Sequence, residues 1–344
     1  MAGVWSGCSW GVKKPELDKV DSKYMPHKTI TAVICTRNRE KRIPMALDSL
    51  AGQTGIDAAQ FDVLVVDNGS TDATMEVVES YKSKMPFRIS TAFEPHQGVS
   101  FARNRSLESA CGDIIAYMDD DAVANPDWAV AHVEAYESDP AVRGVMGRIY
   151  PIWEGERPGW LDPLLESYLT IADYGDEPFN VADVGQAPVG ANMSFLKQAM
   201  LDVGGFDVRF GFGGLQKIPH EENDIALRIQ AQGGKVVYWP RATVRHGVPA
   251  DRMTVEWFKK RVFDQGRGEC LFELEHKGKA AVVKKAVISG LIKLPVFSAA
   301  AVIDCVLGKK ARAARRASVS WYTLGYIKEL VKPFRPAPEK ERSA

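Results

Sequence analysis

Residues 113–121 read DIIAYMDDD: a short β-branched apolar run passing directly into three consecutive aspartates. An apolar run of that length predicts a buried strand. Alternating carboxylates in extended backbone place Asp119 and Asp121 on one side, where they can converge on a hard cation. Taken alone, the triplet also reads as an acidic loop capping the helix that follows Pro126.

The same grammar repeats upstream. ITAVIC (30–35) predicts a strand ending in the polar run Thr36-Arg37-Asn38-Arg39, and Ile43, Ala46, Leu47 and Leu50 fall at helical spacing. FDVLVV (61–66) predicts a second buried strand. DNGSTD (67–72) follows as turn chemistry that can cap the next helix, whose apolar face is Met75, Val78 and Tyr81. A third strand fits 88–93 and another helix 99–110. Strands alternating with helices predict an α/β fold, a mostly parallel sheet flanked by helices, with ligands outside the carboxyl ends of the strands. Arg37, Asp67 and Asp119 all fall at such ends. Residues 153–183, rich in Trp, Pro, Gly and acids, read as an irregular segment over the site, and the sheet pattern stops beyond His246.

Composition sets the frame for these elements. A chain of 344 residues exceeds the usual span of one core, so a large domain with a smaller appendage is expected. An apolar fraction of 45% and a charged fraction of 26% exclude disordered and collagen-like classes. Forty-four basic residues balance 44 acidic ones, so no global field draws the chain to nucleic acid. Cys8, Cys35, Cys111, Cys270 and Cys305 are scattered and form no C-x-x-C pair, which fits a reducing compartment. The first thirty residues hold no continuous apolar stretch, so no secretory leader is expected. The predicted division is a polar extension over 1–28, a catalytic domain over 29–250 and a helical region over 251–344.

Five stretches carry a family resemblance: ICTRNRE (34–40), LVVDNGSTDAT (64–74), GVSFARNRSLESACGDIIAYMDDDAVANPDW (98–128), GGFD (204–207) and HEENDIALRIQAQGG (220–234). In this order and spacing the chain resembles family 2 glycosyltransferases from about residue 29 to 247, in particular those of bacterial polysaccharide assembly. The resemblance implies a GT-A, Rossmann-like fold, inverting single displacement, a nucleoside-diphosphate sugar donor and Mn2+ or Mg2+. It matches Thr36, Arg37 and Asp67 to positions that hold the nucleotide, and Arg103 to one facing the donor sugar or phosphate. Asp119 and Asp121 match the DXD pair, with Asp121 nearer the metal and Asp119 nearer the ribose and sugar. A further acid that the family often carries is Ala122 here. His246 resembles the late histidine that completes the metal or diphosphate site in several relatives.

The family's catalytic base is the first aspartate of Glu-Asp-x-Asp. Here the motif reads Glu221-Glu222-Asn223-Asp224, which puts Glu222 in that place and leaves Glu221 as the other candidate. Read without the family, the same residues are an acidic helix N-terminus favoured by the macrodipole. Asn192, in the turn Gly190-Ala-Asn-Met-Ser, matches the acceptor side, and Trp153 and Trp160 could stack on acceptor sugars or simply pack. Trp257, Arg261, Gln265 and Arg267 lie in WFKKRVFDQGRGE, which resembles a segment that brings a basic side chain to the diphosphate. The glycine-rich run 210–220 is expected to close on the donor.

AVISGLIKLPVFSAAAVIDCVL (286–307) is long enough to span a bilayer, but Lys293, Pro295 and Asp304 argue for an interfacial or re-entrant helix. Its flanks carry Lys284, Lys285, Lys309, Lys310, Arg312, Arg315 and Arg316, suited to an anionic headgroup layer. The alternative is a helical subdomain packed on the core. The expected setting is peripheral, on the cytoplasmic face of a membrane, with a glycan or lipid-linked glycan as acceptor. A nucleotidyltransferase would also need paired carboxylates but usually shows a Gly-rich phosphate loop, absent from TRNREKR. A non-catalytic sugar-nucleotide-binding protein is the remaining alternative.

Overall fold

A computed structural model of the chain describes residues 28–211 and 219–331. β1 (Ile30–Thr36) is apolar almost throughout because both its faces are covered. α1 (Ile43–Ala51) turns Ile43, Ala46, Leu47 and Leu50 onto the sheet. β2 (Phe61–Asp67), α2 (Thr74–Ser80), β3 (Arg88–Phe93), α3 (Val99–Ser109) and β4 (Ile114–Met118) complete the alternating series. β5 (Ala122–Ala124), α4 (Trp128–Ser138), β6 (Val142–Glu154), β7 (Phe179–Asn180), β8 (Asn192–Leu196), α5 (Lys197–Asp202), α6 (Glu221–Ala231) and β9 (Lys235–Pro249) follow.

The strands form one nine-stranded sheet in the order β3-β2-β1-β4-β8-β6-β9-β5, with β7 on β9. β3, β2, β1 and β4 are parallel, as the strand–helix alternation requires. Beyond β4 the sheet is mixed: β8 runs antiparallel to β4 and β6, and β5 and β7 run antiparallel to β9, leaving β6–β9 as the parallel pair. In this half β6 reaches β8 through an irregular stretch carrying β7, while α4 joins β5 to β6 and α5 and α6 lie between β8 and β9. One face packs α1 and α4 around Leu47, Trp128 and Ile34, the other packs α3, α5 and α6 around Phe195, Phe206 and Ile225. Full burial of a side chain such as Leu47 contributes about 2 kcal/mol.

Three further helices, α7 (Val255–Ile288), α8 (Leu294–Val306) and α9 (Lys310–Leu330), follow the sheet. A π-helical turn, Ser289–Lys293, joins α7 to α8, so Pro295 sits in the first turn of a helix and breaks nothing. α7 and α9 cross in close contact: a Cβ on Gly266 would lie 2.0 Å from the Tyr322 carbonyl oxygen, and one on Gly325 2.0 Å from that of Phe263. Only glycine permits that approach. Residues 1–27 and 212–218, the latter covering most of the expected closing loop, lie outside the described residues.

Candidate active site

The site lies beyond the carboxyl ends of β2, β1 and β4, with Thr36 and Asp67 paired in register at the first two. Thr36 is buried and its hydroxyl donates to Asp120 Oδ2 at 2.8 Å. Arg39 Nε stands 3.2 Å from the other oxygen of the same carboxylate. Burial lifts the Asp120 pKa to about 7 against the pull of Arg39. The middle aspartate thus braces the loops, leaving its two neighbours to meet His246. Asp67 is buried and its Oδ1 accepts from the Ser70 N–H at 2.9 Å, while Arg37 is exposed, its Nε 3.4 Å from the Gly69 carbonyl. Asn68 ties this end together: its amide donates to the carbonyls of Glu94 and His96 and accepts from Gly98 N–H at the start of α3.

Antiparallel pairing of β5 with β9 sets Ala122 opposite His246 and so brings the histidine beside the acidic loop. His246 Nε2 lies 3.1 Å from Asp121 Oδ1 and 3.5 Å from Asp119 Oδ2. Burial disfavours the imidazolium, but the two carboxylates outweigh it and lift its pKa to about 9. Burial likewise opposes ionisation of Asp121, yet His246, Arg252 and Arg39 hold its carboxyl below the usual range. One donor atom from each of Asp119, Asp121 and His246 fits within a 4.8 Å cluster. Two carboxylate oxygens and an imidazole nitrogen suit a divalent cation such as Mn2+, which would take the place of the shared proton. His246 Nδ1 is buried with no hydrogen-bond partner among the described residues.

α6 begins with the acidic motif. Glu221 is buried and ion-paired with Arg103 at 3.0 Å, and Arg103 lies over the rings of Tyr117 and Phe206. Burial and the adjacent Glu222 push the Glu221 pKa up against the pull of Arg103. Glu222 is half-buried and accepts from the Gly190 N–H at 3.2 Å, which leaves it the more accessible of the two carboxylates. Asp224 faces away, bonded to Arg228 and His276. From α7, Arg261 lies close enough to feel the charges of Glu222 and Glu221, and donates to Gln265 Oε1 at 2.8 Å.

The acceptor expectations need correction at Asn192. Its side chain is fully buried, accepting from Trp128 Nε1 at 2.8 Å, lying 3.2 Å from His132 Nε2, and donating to the carbonyls of Arg148 and Ala242. Its hydrogen bonds hold it inside the core at the start of β8, while Gly190, in the turn before that strand, faces Glu222. Trp153 and Trp160 are half-buried beside α7; Trp160 meets Phe258 edge-on at 5.6 Å, and Trp153 sits opposite Val248 in the sheet. The sequence reading missed Arg39, Asp120 and Arg252. Arg39 lies in the polar loop the reading had marked, whereas nothing local singles out Arg252.

Acidic side chains gathered beyond the carboxyl ends of a half-parallel, mixed α/β sheet mark a transferase of the GT-A type. Residues 31–198 match the family described as glycosyl transferase family 2, so the chain carries a family 2 glycosyltransferase domain. It is similar to the glucosyl-dolichyl phosphate glucuronosyltransferase of Haloferax volcanii, 26% identical over 71% of this chain and 77% of the relative. It is also similar to the succinoglycan biosynthesis protein ExoM of Rhizobium meliloti, 27% identical over 73% and 79%. Its fold matches that of a mannosyltransferase from Pyrobaculum calidifontis, solved in complex with GDP-Man and Mn2+, at a TM-score of 0.61 and 17% identity, covering 93% of this chain and 91% of that one.

Proposed function

We propose that the enzyme transfers a sugar, with inversion and with divalent metal dependence, from a nucleoside diphosphate to a hydroxyl of a glycan or lipid-linked glycan. The observation that carries this reading is the Asp119–Asp121–His246 cluster together with an accessible carboxylate, Glu222, the buried Arg103 lying within electrostatic reach of both Asp119 and Glu222. Thr36, Arg37 and Asp67 would hold the nucleotide, with Asp119 and Arg103 toward the diphosphate sugar. A Mn2+ or Mg2+ ion held by Asp119, Asp121 and His246 would supply charge stabilisation for the departing diphosphate. Glu222 would remove the acceptor hydroxyl proton as that oxygen bonds the anomeric carbon from the face opposite the diphosphate, and the carbon–oxygen bond to the diphosphate breaks. Two relatives are named for glucuronosyl transfer to glucosyl-dolichyl phosphate and for succinoglycan biosynthesis, which favours the lipid-linked and polysaccharide setting.

The helical region 251–344 would attach the catalytic domain, 29–250, to the cytoplasmic face of a membrane. Within Val255–Val306, a helical run kinked at Gly278 (φ 78°), one stretch is long and apolar enough by length and composition to cross a bilayer. Leu291, Ile292, Val302 and Val306 are exposed, with Val306 at 81%. Asp304, the charge that argued most against burial in lipid, is sequestered by Arg312 and Arg316 at 2.9 and 2.8 Å. The exposed face would lie against anionic lipid, and full recovery of the protein in the soluble fraction would refute the attachment.

The deciding experiment is calorimetric titration of UDP and GDP with and without Mn2+ into the wild type and Asp121→Ala. Metal-dependent binding that the variant loses is expected. Absence of binding by either nucleotide would overturn the reading.

A further inference from the structure

His220, the residue before α6, has φ 108°, in the left-handed region that glycine favours and bulky residues avoid. A side chain is kept in such a conformation only where its surroundings over-determine it. Here the ring is 3% exposed and stacks on Phe272 of α7 at 5.2 Å. Its Nδ1 lies 3.0 Å from the Asn223 side-chain amide, one turn into α6, and its Nε2 lies 3.2 Å from the Gln265 amide of α7. Gln265 in turn accepts from Arg261. One imidazole therefore ties the first turn of α6 to α7, which is itself locked to α9 at Gly266 and Gly325.

Glu222 stands between the two ends of this tie. It is two residues beyond His220 and one before Asn223, and it accepts from the Gly190 N–H. Helix ends fray easily, and an N-terminus with no ordinary side-chain cap needs another restraint to hold a catalytic group steady. We propose that His220 and Gln265 are positioning residues: the clamp between α6 and α7 fixes the orientation of Glu222, making the C-terminal helices part of the catalytic machinery as well as an attachment. The inference rests on Glu222 being the base.

The test uses the full-length protein and two variants, Gln265→Ala and His220→Asn, the latter because asparagine tolerates positive φ. Turnover is read as release of UDP or GDP from UDP-glucose or GDP-mannose, whichever the wild type consumes, and nucleotide affinity by calorimetry with Mn2+. Drift of the base by about 1 Å costs on the order of 100-fold. A fall in kcat of about 10- to 100-fold is therefore expected, with donor KM and nucleotide Kd within about twofold of wild type. Gln265→Glu keeps an acceptor for Arg261 and a partner for the ring, and should recover most of the rate. A kcat unchanged in the folded variants, or kcat and Kd falling in step, would overturn the clamp. Should Gln265→Ala fail to fold, His220→Asn decides by the same readouts. A wild type that binds nucleotide but turns over no donor would overturn the proposed function and this inference with it.

Discussion

Gly190→Ala tests the geometry of the cleft with a single methyl group. The glycine is buried, its φ is not left-handed, and its N–H donates to Glu222. Alanine therefore meets no backbone penalty there, and its effect comes from space. A Cβ would lie 2.2 Å from Arg103 Nη2 and 2.9 Å from Glu222 Oε1. Ordinary contact requires the guanidinium to retreat by about 1 Å, and Arg103 cannot swing aside because it is buried against Glu221, Tyr117 and Phe206. Overpacking of this kind costs about 1–3 kcal/mol of stability. Displacement of Glu222 and Arg103 by about 1 Å should cost on the order of 100-fold in kcat/KM. The assay is steady-state sugar transfer on the folded variant, with its midpoint of thermal unfolding measured in parallel. A folded Gly190→Ala enzyme within threefold of wild-type kcat/KM would refute the reasoning, since the two groups nearest the added methyl would then be dispensable.

The two adjacent glutamates should separate by phenotype. Glu222→Gln is expected to lower kcat by about 100- to 10,000-fold with nucleotide affinity intact, whereas Glu221→Gln, which removes the buried partner of Arg103, should show its main effect in unfolding experiments. Asn192→Ala leaves the Trp128 N–H and the Arg148 and Ala242 carbonyls unpaired in the interior, so chemical denaturation should register a loss of about 3 kcal/mol or more. In the C-terminal helices, burial opposes ionisation of Glu273, but bonds from Lys277, Tyr326 and Lys285 outweigh it and bring its pKa to about 2. Its folded pKa is below its unfolded one, so its contribution of about 2–3 kcal/mol is complete above pH 4.5 and fades as pH falls toward 2. Glu273→Gln should flatten the acid limb of the stability profile, and an unchanged limb would show that the three bonds do not form.

The parallel half of the fold and its acidic loops were legible in the sequence because they are local. ITAVIC, FDVLVV and DIIAYM are runs of apolar residues whose burial follows from their composition, and each ends in polar residues that a parallel strand must deliver to the same edge. Hence Thr36, Asp67 and Asp119–Asp121 read from the sequence alone as neighbours at one edge of the sheet. The glutamate pair at 221–222 was visible for the same reason, as a short acidic string opening a helix. Tertiary structure decided what these groups meet. The β5–β9 register puts His246 on Asp121 across 125 residues, α3 delivers Arg103 to Glu221, and α7 reaches back to His220. It also decided that Asn192 faces the core and that Asp304 is paired within the helices. Local periodicity carries the face a residue turns inward, but partner choice across a sheet depends on the summed packing of distant segments, which no single stretch encodes.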